Sequence, residues 1–511
     1  MTGSFFSQSM TYGLPVRAPG TVPGPLGVRP DTPSITHNGE HCNKSPKRVF
    51  PGATVTVMSV DTVSLTGWGR TAPTTALRFR PRTYEEAAAT VRGCGPRGSI
   101  ARGLGGSHGD AAQNAGGSVL DMTALDRIRT VDATAGLVVC DAGVGLHRLA
   151  EVLRPLGWSV PTPSPNRYVT VGGAIGADAH GHDQHHSGSF SRHVQELELL
   201  TADGEIHTVR PGTVLFHATA GGLGLTGVIL SATLRCHRAT GSWLSVDTER
   251  AVDLDDLLDR LSAGDHRYRY SAARIDLLSR GRATGRAVLT RGEPVPVDGR
   301  APRYARPARA RRTPSAFRPG RLPSLSALVP HSLPGGVCAA LLGELRYRGA
   351  PGYRPGELQR PAEFFRLLDG PVRDRPRGRA GSVRYQFAVG FGQEEALRRI
   401  VRRISLRRCP SSYAVLKRFG ASDPGWLSFP VPGWTLALDL PAALPGLARF
   451  LDSLDEEVAA AGGRVCLAKD SRLRPELLAA MYPKLDRFRS LRAELDPYGA
   501  FRSDLSRRLS L

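Results

Sequence analysis

From about residue 61 onward the chain switches repeatedly between the three-to-four-residue spacing of an amphipathic helix and the alternation of a strand. TYEEAAATVRGC, from Thr83, has the Thr-x-x-Glu form of a capping box followed by good helix formers, which predicts a helix. Apolar runs at Val119 to Met122 and Leu137 to Ala142 predict strands, and GLHRLAEVLRPLG at 145 to 157 predicts a second helix. ELELLTADGEIHTV at 196 to 209 reads as a β-hairpin turning at Asp203-Gly204. Strands and helices mixed in this way are α+β in character. Residues 1–60 are rich in Gly, Pro, Ser and Thr without a sustained period and are expected to form a disordered leader, with Met58 as an alternative start. Between 291 and 335 the chain turns Arg/Pro-rich, with eight arginines and no acid from Gly299 to Arg321. A mobile, solvated charge run is the simple expectation there; contact with an anion or a membrane surface is the sharper one. Patterning resumes after about 336, and no internal repeat is found.

Composition narrows the class. In 511 residues 41% are hydrophobic and 22% charged, and no run of eighteen apolar residues would span a bilayer. The N-terminus lacks a basic region followed by an apolar stretch, so no secretory signal is read and a cytoplasmic chain is expected, with membrane contact at most peripheral. The net charge of +22 comes from 63 arginines and only five lysines against 46 acids. Zinc-finger spacing, aromatic-rich basic strands and basic heptads are absent, so nucleic acid is not an expected partner. Seven cysteines, odd in number and without a close pair, read as reduced thiols.

The informative segments are glycine-rich. ARGLGGSHGD at 101 to 110 allows close backbone approach, so successive N–H groups can cradle a pyrophosphate; alone it is equally a tight turn. It lacks the Lys-Ser/Thr of a Walker loop and the following helix and acid of a Rossmann fingerprint. PSPNRYVTVGGAIGADAHG at 163 to 181 adds small residues for a flat ligand and a hydroxyl, Thr170, for a phosphate. AGGLGLTGVI at 220 to 229 adds a third backbone-dense surface. Three such segments within 130 residues suggest an extended cofactor.

ARGLGGSHGDAAQN, TVGGAIGADAHG and GGLGLTGVIL resemble the flavin-binding segments of the vanillyl-alcohol-oxidase and aldonolactone-oxidase superfamily. LTGWGRTAP at 65 to 73, LTADGEI at 200 to 206, GEL-x-YR at 343 to 348, LSFPVPGW at 427 to 434 and AKDSR at 468 to 472 are similar to its decaprenylphosphoryl-ribose oxidase branch. The resemblance implies a two-domain α+β fold with a PCMH-type FAD-binding domain over 61–237, a sheet-based substrate domain over 238–463, and a return to the FAD domain over 464–511. It implies FAD held by Ala101, Arg102, Gly103, Leu104, Gly105, Gly106, Ser107, His108, Gly109, Asp110 and Ala111. Further contacts are implied from Thr170, Val171, Gly172 and Gly173, from Ala177, Asp178, Ala179 and His180, and from Ile229 and Cys466. Gly106 stands where related oxidases carry the histidine that attaches flavin covalently, so the FAD is expected to be noncovalent, with His108 a neighbour.

Oxidising a secondary alcohol needs a hydride acceptor, which no side chain supplies, a base for the hydroxyl proton and positive charge near the reducing ring. By the resemblance Lys469 is the cation beside flavin and substrate, Lys417 grips substrate or its phosphate, and His180 moves the hydroxyl proton. The histidines of HGHDQHH at 180 to 186 invite a metal reading, but the flavin segment around them makes none expected. Tyr347 and Gln386 agree with the branch's substrate wall. Arg384, Thr435, His108, His182, Ala437 and Arg274 depart from it, and the added arginines favour an anionic substrate. The implied activity is oxidation of a furanose or polyol hydroxyl, foremost C2′ of a (polyprenyl)phosphoryl ribose, as half of an epimerisation. The expected partners are a sugar or lipid-linked sugar phosphate and a short-chain reductase. An alditol or aldonolactone oxidase using dioxygen is the rival enzyme, and an inactive flavin-binding partner of the reductase is the rival from another class.

Overall fold

The computed structural model describes residues 60–162, 169–239, 241, 243–295, 335–369, 381–411 and 413–511. The leader, the possible start at Met58 and most of the Arg/Pro-rich stretch lie outside them. That stretch begins later than its composition suggests: the Ala287–Pro294 strand carries the chain through Arg291, whose guanidinium is buried against Glu249. A helix, Gly335–Gly349, has begun by residue 335.

Two small sheets build the first part. One has the order Val60–Leu65, Thr74–Phe79, Ser118–Asp121, Ser99–Arg102, antiparallel at its first pair and parallel beyond. The other is antiparallel, in the order Ile128–Asp132, Leu137–Asp141, Val228–Arg235, Val194–Leu200, Ile206–Val209. The expected elements are all present. Thr83 caps the Tyr84–Arg92 helix through the Glu86 amide, and Glu86 reaches back to the Arg82 amide. The helix expected at 145 to 157 runs over Leu146–Leu153 and tightens into a 3₁₀ turn at Pro155, which cannot donate into the α ladder.

An eight-stranded antiparallel sheet builds the second part. Its order is Tyr353–Gln359, Leu244–Ala251, Ala287–Pro294, Tyr270–Ile275, Ala414–Phe419, Gly433–Pro441, Ser382–Gly390, Arg464–Val465. Strand alternation sorts its side chains. Ala273, Leu416, Leu436, Leu438, Tyr385 and Phe387 enter the largest apolar core with the helices Leu254–Gly264, Glu394–Leu406 and Leu447–Ala460. The opposite face carries Arg384, Gln386, Thr435, Lys417 and Ala437, positions singled out in the sequence, of which Ala437 packs in a smaller apolar cluster. After Val465 the chain crosses back: Ser99 bridges Phe501, and Arg508 forks onto Asp110 while also meeting Asp470.

Candidate active site

Each glycine segment is held by close backbone approach. A Cβ on Gly103 would overlap the Thr170 side chain, and one on Gly109 would overlap the carbonyl oxygen of Asp470. Residues 103–107 are partly exposed while His108 and Gly109 are buried, and Gly172 and Gly173, in the first turn of the Val171–Gly176 helix, are likewise partly exposed. Thr170 caps the short Val171–Gly176 helix by accepting from the Gly173 amide at 3.2 Å, which leaves its hydroxyl hydrogen to donate elsewhere. Ala101 ends the Ser99–Arg102 strand's apolar side, and Leu104 is 37% exposed.

Several residues of these segments spend their side chains on the protein. Arg102 donates to the carbonyls of Ala112 and Thr66, at 2.8 and 2.7 Å. Asp110 is taken by Arg508. Asp178 accepts from the Ser191 amide and the Ser428 hydroxyl, and burial together with the nearby charge of Asp423 pushes its carboxyl up to about 7. Asp423 in turn accepts from Ser189 and from Arg192 Nε, at 2.6 Å each. This buried latch ties residues 178–192 to the loop at 420–428. Nothing local in the sequence marked it, because its members lie more than 230 positions apart.

Three consecutive residues then cross the polar face of the large sheet. The Gln386 side chain meets His180 Nε2 at 3.1 Å, Lys417 Nζ donates to the Gly181 carbonyl at 3.0 Å, and the Ser271 amide donates to the His182 carbonyl at 3.1 Å. Phe419 and Phe429 flank the His180 ring, at centroid distances of 5.2 and 5.4 Å. Lys469 donates to Gln386 Oε1, and the Cys466 amide holds the Gln386 carbonyl at 2.9 Å. The His108 amide donates to the Ala468 carbonyl at 3.1 Å, joining the first glycine loop to the same corner. Lys469, His180, Gln386, Thr435 and Lys417 therefore form one cluster, contributed by segments far apart in sequence.

Electrostatics sharpen the cluster. Burial, then the charges of Lys469 and Lys417, push His180 well below its usual range, so its imidazole is neutral. Burial also lowers the Lys469 ammonium, with Arg384 acting the same way and Cys466 and Asp439 opposing. Burial raises the Cys466 thiol. Arg384 is bound at both ends to Asp439, at 2.6 and 2.7 Å, over the Tyr413 ring. Its charge is already matched, which removes it from the case for an anionic substrate. Tyr347 lies under the guanidinium groups of Arg286 and Arg250. His182 stacks near Phe365, and His185 Nε2 lies 2.9 Å from the Tyr268 carbonyl, so the HGHDQHH histidines face different partners. No helix among the described residues is long and apolar enough to cross a membrane.

Residues 75–210 match the family described as FAD binding domain, and 394–509 match D-arabinono-1,4-lactone oxidase. The chain is 40% identical to decaprenylphosphoryl-beta-D-ribose oxidase of Mycolicibacterium smegmatis, over 88% of this chain and 98% of that protein. It is 52% identical to an uncharacterized protein in the mprA 5′ region of Streptomyces coelicolor, over 72% of this chain and 100% of that one. Alditol oxidase of a Streptomyces species is 27% identical over 87% and 99% of the two chains. Near-complete alignment at this identity, with an FAD binding domain leading into a lactone-oxidase segment on an α+β scaffold, places the chain in the FAD-dependent sugar and lactone oxidase family that includes decaprenylphosphoryl-beta-D-ribose oxidase.

Proposed function

We propose that this enzyme oxidises the C2′ hydroxyl of a (polyprenyl)phosphoryl ribose, or of a closely related furanose, to the keto form, and that a short-chain reductase completes the epimerisation. The near full-length match to decaprenylphosphoryl-beta-D-ribose oxidase carries this reading.

The residues present fit FAD. The partly exposed glycines of 103–107 adjoin the start of the Val171–Gly176 helix through the close approach of Gly103 to Thr170, which suits a pyrophosphate cradle, and the Thr170 hydroxyl retains a hydrogen to donate. Lys469 hydrogen-bonds a neutral amide oxygen, so its charge is not cancelled at contact. In this reading Ala101 to Ala111, Thr170 to Gly173, Ala177 to His180, Ile229 and Cys466 surround the cofactor, without a covalent bond because Gly106 has no nucleophile. FAD, when bound, supplies the acceptor for the substrate's hydride. The chain does the rest. Lys469 polarises the hydroxyl and offsets charge that grows as the C–H bond breaks. Lys417 holds the sugar or its phosphate from the neighbouring strand. Phe419 and Phe429 exclude water from the His180 side.

One observation favours a second reading. Arg384 is tied to Asp439, so its own charge is matched within the protein rather than held for a phosphate. A neutral polyol, as in an alditol oxidase using dioxygen, suits it. Anaerobic mixing separates the two. Polyprenylphosphoryl ribose should bleach the flavin absorbance within seconds at micromolar concentration while xylitol and sorbitol leave it unchanged, and the reverse result overturns the main reading.

A further inference from the structure

His180 sits at the centre of the cluster, and as a neutral imidazole it can either accept or donate through Nδ1, depending on its tautomer. The hydrogen-bond chain behind it settles which. The Phe387 carbonyl can only accept, so the Thr435 hydroxyl, 2.9 Å away, gives it its single hydrogen. Thr435 Oγ1 must then accept from Gln386, whose Nε2 lies at 3.1 Å. Lys469, donating to the other end of the same amide, independently requires Oε1 to face it. Both constraints orient Gln386 alike, and its second Nε2 hydrogen points to His180 Nε2 at 3.1 Å. That ring nitrogen therefore accepts, and the imidazole proton lies on Nδ1. Nδ1 is buried and has no partner among the described residues.

We propose that Gln386, oriented by Lys469 and Thr435, is a positioning residue that locks His180 as its Nδ1–H tautomer, so that it donates a hydrogen bond to the reacting oxygen, and the hydroxyl proton passes to the amine form of Lys469. The inference rests on the reading above that this cluster meets the substrate hydroxyl. In the proton step the substrate O–H bond breaks, its hydrogen forms the third N–H bond of the Lys469 ammonium, and the oxygen keeps the electron pair. The groups facing His180 are Lys469, Lys417, His182 and Gln386; those facing Lys469 are Cys466, Arg384 and Asp439. No carboxylate stands among the groups that bear most strongly on His180, and the partner recorded at Nε2 is the Gln386 amide.

The tautomer can be read without turnover, by long-range 1H–15N correlation on FAD-loaded protein carrying 15N-histidine, with the His180 signals assigned by their loss in His180→Asn. The proposal requires a protonated Nδ1 and an unprotonated Nε2. Gln386→Glu places an acceptor against Nε2 and should exchange the two signals; Thr435→Val leaves the Lys469 constraint on the Gln386 amide in place and should keep the single tautomer. Rapid-reaction flavin reduction adds a second readout. With Lys469 as acceptor the rate climbs with pH, about tenfold per unit, for as long as the lysine remains mostly protonated. With His180 as base it is flat there, because the imidazole is already deprotonated. A wild-type His180 carrying its proton on Nε2, an unchanged spectrum in Gln386→Glu, or a flat pH profile overturns the proposal. Failure of the sugar phosphate to reduce the flavin while the spectrum holds would instead reject the substrate assignment.

Discussion

The two walls of the site are made of different material. The wall from the first 230 residues is backbone: glycines pressed against Thr170, Ala142 and Asp470, with polar side chains such as Arg102 and Asp110 turned inward to brace the loops. The wall from the large sheet is side chains, projecting from a frame whose other face is packed into the main core. Such a wall accepts little substitution at the glycines where a Cβ would meet another segment, as at Gly103, Gly109 and Gly172. A side-chain wall can be rewritten residue by residue while the strands stay where they are. Of the positions that depart from the ribose-oxidase branch, Arg384, Thr435, Ala437 and Arg274 lie on the sheet, while His108 and His182 lie in or beside the glycine segments, whose glycines are kept.

Breaking the backbone wall should have the largest effect. Gly109→Ala forces a methyl into the Asp470 carbonyl, in a region with no flexible side chain to yield. A loss of about 3 kcal/mol or more is expected. Flavin content after gel filtration and the melting temperature read it; a fully flavin-loaded, wild-type-stable variant would show that the wall gives way.

The latch between the two walls comes next. Asp178 has a folded carboxyl near 7, against about 3.9 in an unfolded chain, so the folded state binds more protons between those values. Its contribution therefore falls as pH rises from about 4 through 7. The depressed histidines His180, His193 and His237 act oppositely, losing stability as pH falls below about 6.5, so the difference between variant and wild type isolates the carboxyl. Urea unfolding of Asp178→Asn relative to wild type should favour the variant increasingly from pH 5 to 8, by on the order of 2 kcal/mol. A constant difference would remove the titration from the account.

The smallest effect is expected on the sheet. Ala437→Cys adds one sulfur at a buried position bordered by Val415 and Tyr270. Stability should change by less than about 1.5 kcal/mol and flavin content not at all, while the KM for sugar shifts. Loss of flavin here would erase the distinction between the walls.

Much of this was legible before the structure. The capping box at Thr83, the hairpin at Asp203-Gly204 and the glycine motifs are local signals, set by residues a few positions apart, and the folded chain contains each of them. Lys469, Lys417, His180 and Gln386 were singled out by motif, and they share one cluster. What local patterning could not reveal were pairings across the sheet. Arg384 reads as a free cation until register sets it opposite Asp439, 55 positions later, and Tyr347 matches a motif yet lies beneath Arg286. The Arg/Pro-rich composition likewise hid a strand end, because burial against Glu249, not propensity, holds Arg291 there.

The central claim is that the backbone wall holds the cofactor while the Lys469 side chain, set against Gln386 of the sheet, serves the chemistry. Lys469→Ala in anaerobic single-turnover flavin reduction, with FAD occupancy measured on the same sample, tests it most directly. The account predicts full occupancy and a reduction rate lower by about 100-fold, equivalent to about 2.7 kcal/mol. Full occupancy with a wild-type rate would contradict it.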